Sequence, residues 1–264
     1  MGELIFIGLG LYDERDISLN GLETARDCDI LFAEFYTSKL TGTTISQIES
    51  LIGRKITILN REEMEKGDII IEAAKENKVG VLVAGDPMTA TTHMALRMSA
   101  KQEGLNIRIV HGTSIITSAP ALSGLHIYKF GSIASLPFPK KGYFPTSPYD
   151  IIKLNLDCGL HTLILLDIDE EVGKLMRANE ALKILLDMES EKKEGIISGN
   201  TLVCVLGSVG SKRPVVRADY LNELLKEDFG EGLNCLIIPG KLHFTEVEAL
   251  VELAGAPKAI LARV

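Results

Sequence analysis

From residue 4 onward, short unbroken apolar runs alternate with stretches in which apolar residues recur every three or four positions. Unbroken runs suit strands covered on both faces, and the longer spacing suits helices with one buried side. Residues 4–9 read as a strand ending at Gly8 and Gly10. Ser18 is placed to cap a helix whose apolar positions Leu19, Leu22 and Ala25 recur at three-residue steps. A second strand is expected over 29–35, a helix on Ile45, Ile48, Leu51 and Ile52, and a strand over 55–59. Ile69, Ile70, Ala73 and Ala74 form the next helix face, followed by strand 79–84, helix 92–103 and strand 107–110. This alternation predicts a mostly parallel sheet with helices on both faces.

The rhythm breaks across 112–148, which holds Pro120, Pro137, Pro139, Pro145 and Pro148 among the nine prolines. A passage between two domains is expected there, giving an N-terminal α/β domain over 1–112 and a C-terminal α/β domain over 113–264. The second half offers strands at 162–168, 202–206 and 235–238 and helices at 179–188, 220–225 and 245–254. Their directions do not follow from periodicity.

Composition narrows the picture. A chain of 264 residues, 46% of them hydrophobic, suffices for one large domain or two compact α/β domains of ordinary size. The net charge of −8 argues against a general nucleic-acid surface, with Lys212-Arg213 a local exception, so a macromolecular substrate is expected to be protein. The cysteines at 28, 158, 204 and 235 have no metal-ligand spacing, and the five histidines stand singly, so no metal is expected. The start, Met1-Gly2-Glu3, has no basic segment and no apolar stretch reaches about 20 residues, so no signal peptide or membrane helix is expected and the location is read as cytoplasmic.

Three strand ends carry the candidate chemistry. In open α/β sheets, ligands gather at the carboxyl ends of the strands. The first, Gly8-Leu9-Gly10-Leu11-Tyr12-Asp13, lacks the third glycine of a dinucleotide fingerprint, and a ligand approach or a plain tight turn both fit it. The second, 85–93, reads GDPMTATTH: Gly85 permits positive φ, Asp86 supplies a carboxylate, and Thr91 or Thr92 can cap the next helix. The third is His111-Gly112-Thr113-Ser114-Ile115, where Ser114 can meet a ligand or cap a helix. No serine-nucleophile elbow or phosphate-binding loop occurs. No residue announces itself as a general base, so the catalytic residues stay unassigned.

In order along nearly the entire chain, GLGLYD at 8–13, AEFYTS at 33–38, GDPMTATTH at 85–93, GLHIYKFG at 124–131, FPTSPYD at 144–150, GLHTLILLDI at 159–168 and PGKLHFTEVEALVELAGAP at 239–257 resemble the diphthine synthases. These belong to the tetrapyrrole methylase superfamily. The resemblance implies two α/β domains with S-adenosylmethionine in the cleft between them, and a homodimer. It implies methylation of an amine on the 3-amino-3-carboxypropyl-histidine of elongation factor 2. It places cofactor contacts at Leu11, Asp86, Thr89, Ser114, Ile115, Leu166, Val209 and Asn234. Contacts at Thr89, Val209 and Asn234, whose side chains depart from the family pattern, are expected mostly through backbone atoms. Lys241 and His243 either meet the substrate carboxylate or only shape their turn. Other members of the superfamily, acting on a tetrapyrrole or on ribosomal RNA, and a non-catalytic cofactor-binding protein remain the alternatives.

Overall fold

The computed structural model describes residues 2–169 and 172–263. The chain divides into two compact units, Met1–Ile115 and Ile116–Val264. The division falls three residues beyond the boundary read from the sequence, so the segment holding Ser114 and Ile115 counts with the first unit.

The first unit runs β1 (Glu3–Gly8), α1 (Leu19–Asp27), β2 (Ile30–Glu34), α2 (Ile45–Ile52), β3 (Thr57–Ile58), α3 (Arg61–Lys66), α4 (Asp68–Glu76), β4 (Lys78–Val83), α5 (Met94–Gln102) and β5 (Asn106–Val110). Its sheet is all parallel in the order β3-β2-β4-β1-β5. Side chains alternate between two cores. Leu4, Phe6, Val79, Val81 and Val83 pack with Met64, Ile70 and Leu96 from α3, α4 and α5. Ile5, Ile7, Leu31 and Leu82 pack with Ala25, Ile48 and Ile52 from α1 and α2. That double coverage is why β1 and β4 lack a polar alternation. Ser18 caps α1 by accepting the Gly21 N–H at 3.0 Å. Thr91 and Thr92 do not cap α5, which begins after His93 without a side-chain cap. Their hydroxyls are engaged with Pro87 O and the Tyr36 hydroxyl instead.

α6 (Ile115–Ser123) follows, with Pro120 inside it. The second unit continues with β6 (Ala134–Leu136), α7 (Ser147–Asp157), β7 (Thr162–Leu166), β8 (Ile168–Asp169), β9 (Lys174–Leu175), α8 (Ala178–Lys192), β10 (Leu202–Gly207), β11 (Val215–Tyr220), α9 (Leu221–Leu224), β12 (Asn234–Ile238) and α10 (Phe244–Ala254). The main sheet has the order β11-β10-β12-β7-β6, antiparallel except for the β6–β7 pair. One face packs on α7 and α8 through Tyr149, Ile152, Leu182, Leu185 and Met188 against Ile164, Val203, Val205 and Leu236. The proline-rich stretch is thus more than a linker, since it holds α6, β6 and the start of α7.

Cys28, Cys204 and Cys235 are buried free thiols, and Cys158 is exposed. Among the described residues, no helix is long and apolar enough to cross a membrane. None of them form a group of three or more His, Cys, Asp or Glu able to hold a metal ion.

Candidate functional site

The strand order brings the three candidate loops of the first unit together. β1 lies between β4 and β5, and all three point the same way, so Gly8, Gly85 and Gly112 meet at one edge. The backbones touch there. Gly85 N–H donates to Gly10 O at 2.7 Å, and Gly10 N–H donates back to Gly85 O at 3.3 Å. A Cβ on Gly8 would sit 2.5 Å from Gly112 N, and one on Gly112 would sit 2.3 Å from Gly85 O. Gly85 itself has φ +77° and open space around its missing side chain. The first two glycines are needed for backbone contact, and the third for its left-handed conformation.

Asp86 organises this edge. Its Oδ1 accepts Met88 N–H and the Thr89 hydroxyl, both at 3.0 Å. Its Oδ2 accepts His111 Nδ1–H at 2.7 Å. Burial pushes the carboxyl pKa up, but the bonds from Met88, His111 and Thr89 outweigh it and hold the group below the usual carboxylate range. The carboxylate therefore ties the GDP turn to the end of β5. With Nδ1 donating to Asp86, His111 turns Nε2 outward on a ring whose side chain is 74% exposed. Leu11, Thr89, Ser114 and Ile115 flank the same edge and are all half-buried. The loop is strained at Ala90, whose φ of 55° is in the left-handed region.

In the second unit, antiparallel pairing collects residues from distant parts of the chain. Cys235 pairs with Leu165 and Asn234 with Gly207. The end of β7, the start of β12 and the end of β10 therefore share an edge, which holds Leu166, Asn234 and the turn with Val209. Asn234 is the first residue of β12, not the one before it. Its Nδ2 donates to Gly232 O at 2.5 Å. Its Oδ1 is buried with no hydrogen-bond partner among the described residues. That orphaned acceptor, beside the apolar Leu166 and Val209, suits a flat heterocycle with an amino donor, as adenine is. The side chain of Asn234 is thus available for contact, not the backbone alone.

Lys241 and His243 lie elsewhere. They follow Ile238 at the other end of β12, about 14 Å of strand away from Asn234. A cavity of ≈ 610 Å³ opens there, lined in part by Asn200, Thr201, Pro239 and Lys241. His243 caps α10, and its N–H donates to Glu246 Oε2 at 2.8 Å. The turn-shaping role is the one with visible bonds. Sequence reasoning missed Glu246 itself, a fully buried carboxylate, and the pair of Glu34 with His93. The signal available for Glu34 was a charged residue closing the apolar run ILFA.

A parallel sheet with three glycine-bearing loops meeting at its carboxyl edge, joined in sequence to a mixed sheet, defines a class. The chain belongs to the Tetrapyrrole (Corrin/Porphyrin) Methylases, whose family model matches residues 3–194. Within that class it belongs with the diphthine synthases. It is 50% identical over 260 residues to the diphthine synthase of Methanothermobacter thermautotrophicus, covering 98% of each chain. To that of Methanocaldococcus jannaschii it is 49% identical over 250 residues, 94% of this chain and 97% of the other. A crystal structure of a diphthine synthase superposes with a TM-score of 0.90 at 36% identity, over 99% of this chain and 100% of that one.

Proposed function

We propose that this protein methylates the amine of the 3-amino-3-carboxypropyl-histidine side chain of elongation factor 2, using S-adenosylmethionine. The near-full-length similarity to diphthine synthases carries this reading. The site residues agree with it. On the first unit, Leu11, Asp86, Thr89, Ser114 and Ile115 would hold the cofactor at the glycine edge. On the second, Leu166 and Val209 would flank the adenine and Asn234 Oδ1 would accept from its amino group.

When bound, the cofactor supplies a methyl group already activated on a sulfonium. The chain's residues then need to orient it, exclude water and admit a neutral amine. An ordinary α-amino group has a pKa of about 8, so a proton must leave before its lone pair can attack. The tertiary amine still has a lone pair, so pocket volume limits the number of methyls, and more than one per histidine is expected.

Two measurements test this. Calorimetry should show S-adenosylmethionine binding, weakened about tenfold or more by Asp86→Ala, because three donors lose their acceptor and the turn loosens. Unchanged affinity would remove Asp86 from the site. Intact-mass spectrometry of elongation factor 2 should show added methyls only when the precursor group is present. Transfer to a porphyrinogen or an RNA instead would overturn the acceptor. The working form is a homodimer, with an interface of at least roughly 1,000 Å². Sedimentation at micromolar concentration should therefore give twice the monomer mass of 28.8 kDa, and a clean monomer would exclude it.

A further inference from the structure

Two of the sequence motifs, 33–38 and 85–93, meet through a buried pair that the reading above does not use. The side chains of His93 and Glu34 are 1% and 0% exposed. The hydrogens on the imidazole follow from its neighbours. Nδ1 lies 3.0 Å from Pro87 O, and a carbonyl only accepts, so Nδ1 carries a hydrogen. Nε2 faces Glu34 Oε1 at 3.5 Å and has no hydrogen-bond partner among the described residues. Glu34 is built as an acceptor: Oε2 takes Tyr36 N–H and Thr37 N–H at 3.0 Å each, and Oε1 takes the Thr37 hydroxyl. These three contacts hold the Glu34 carboxyl in one orientation against the ring.

Other groups enclose the pair. Phe6 from β1 lies alongside the imidazole at 6.2 Å between centroids. Glu65 from α3 lines a cavity of ≈ 290 Å³ with His93, and it pairs with Arg61 at 4.0 Å. The Arg61 guanidinium in turn sits over the Tyr36 ring at 5.0 Å.

We propose that His93 is a positioning residue, a buried imidazole that donates through Nδ1 to Pro87 O, turns Nε2 onto Glu34 and fastens the turn at 33–38 to the GDP loop. This rests on that loop taking the cofactor. Pro87 O also accepts the Thr91 hydroxyl at 3.1 Å, and Tyr36 and Thr92 place their hydroxyls 3.4 Å apart. Together these contacts hold the strained Ala90 in place. Without this joint, the loop relaxes and Asp86 no longer presents a fixed edge.

The test uses the full chain, with S-adenosylhomocysteine as the binding probe. Probe affinity should fall at least tenfold in His93→Gln and at least threefold in Glu34→Gln. The KM for the methyl donor should rise while kcat at saturation changes less. Wild-type affinity in either variant would overturn the proposal. The two readings fail separately. A wild type that binds no probe defeats the functional reading, whereas a wild type that binds it beside variants that bind it equally well defeats the joint alone.

Discussion

Replacing Glu246 with alanine is expected to cost about 3–5 kcal/mol of stability, the range for stripping one partner from a buried ion pair. Its carboxylate is fully buried at the first turn of α10. It accepts from Lys129 Nζ, from His126 N–H at 2.9 Å, from His243 N–H at 2.8 Å and from His161 Nε2 at 3.0 Å. Alanine leaves three of these donors unpaired, and Lys129 keeps only Lys241 O. The same carboxylate sets the acid response. Burial alone would raise its pKa, but the bonds from Lys129, the two N–H groups and His161 outweigh burial and bring it from 4.5 to about 2. A carboxyl depressed in the folded state stabilises fully above its unfolded value. That contribution, about 3 kcal/mol, is lost as pH falls from about 4.5 toward 2. His161 acts in the same direction. Burial lowers its pKa despite Glu246, its Nδ1 accepts Gly240 N–H at 2.9 Å, and acid must charge a ring folded neutral. Thermal melts between pH 7 and pH 3 should show a steep acid loss in the wild type and a flatter one in Glu246→Gln. Parallel curves would remove this carboxylate as the cause.

Gly112→Ala should be nearly as severe, at about 3 kcal/mol, and should abolish cofactor binding. The new methyl would meet backbone on two sides, Gly85 O at 2.3 Å and Gly8 Cα at 2.9 Å, where no rotamer change can relieve it. Strand ends would have to separate at the edge that holds Asp86. In a chain of this size the loss corresponds to a melting temperature lower by about 6–12 °C. Gly85→Ala is the contrast. With nothing near its missing Cβ it suffers only the left-handed backbone, about 1–2 kcal/mol. Equal melting temperatures for the two variants would show that the glycine contact is not tight.

What was legible in the sequence follows the physics of burial. β1 and β4 stand out because both faces are covered, leaving IFIG and VGVLV as apolar runs. β11 escaped notice because VVRADY carries Arg217 and Asp219 along a sheet edge, where they pair with each other at 2.6 Å. α7 was hidden by Pro148, which reads as a breaker in a proline-rich stretch yet is well tolerated in the first turn of a helix. The three loops of the first unit could be picked out singly. Their meeting depends on β1 lying between β4 and β5, which no periodicity encodes. His93 and Glu34 were invisible as a pair because 58 residues separate two polar side chains that only the fold makes neighbours.

The cysteines make each unit separately observable in solution. Burial pushes the Cys28 thiol up to about 11 and the Cys204 thiol up to about 12, and it raises Cys235 further. At neutral pH these three are shielded and short of thiolate, whereas Cys158 is open to reagent. A thiol-modifying probe therefore attaches once, quickly, to the native chain, and that first adduct counts molecules. Every later adduct waits for an opening event. Cys28 lies beneath the first sheet, and Cys204 and Cys235 sit on the neighbouring strands β10 and β12 of the second. Peptide masses taken over time thus separate the breathing of one unit from that of the other, in the unmutated protein, with and without ligand.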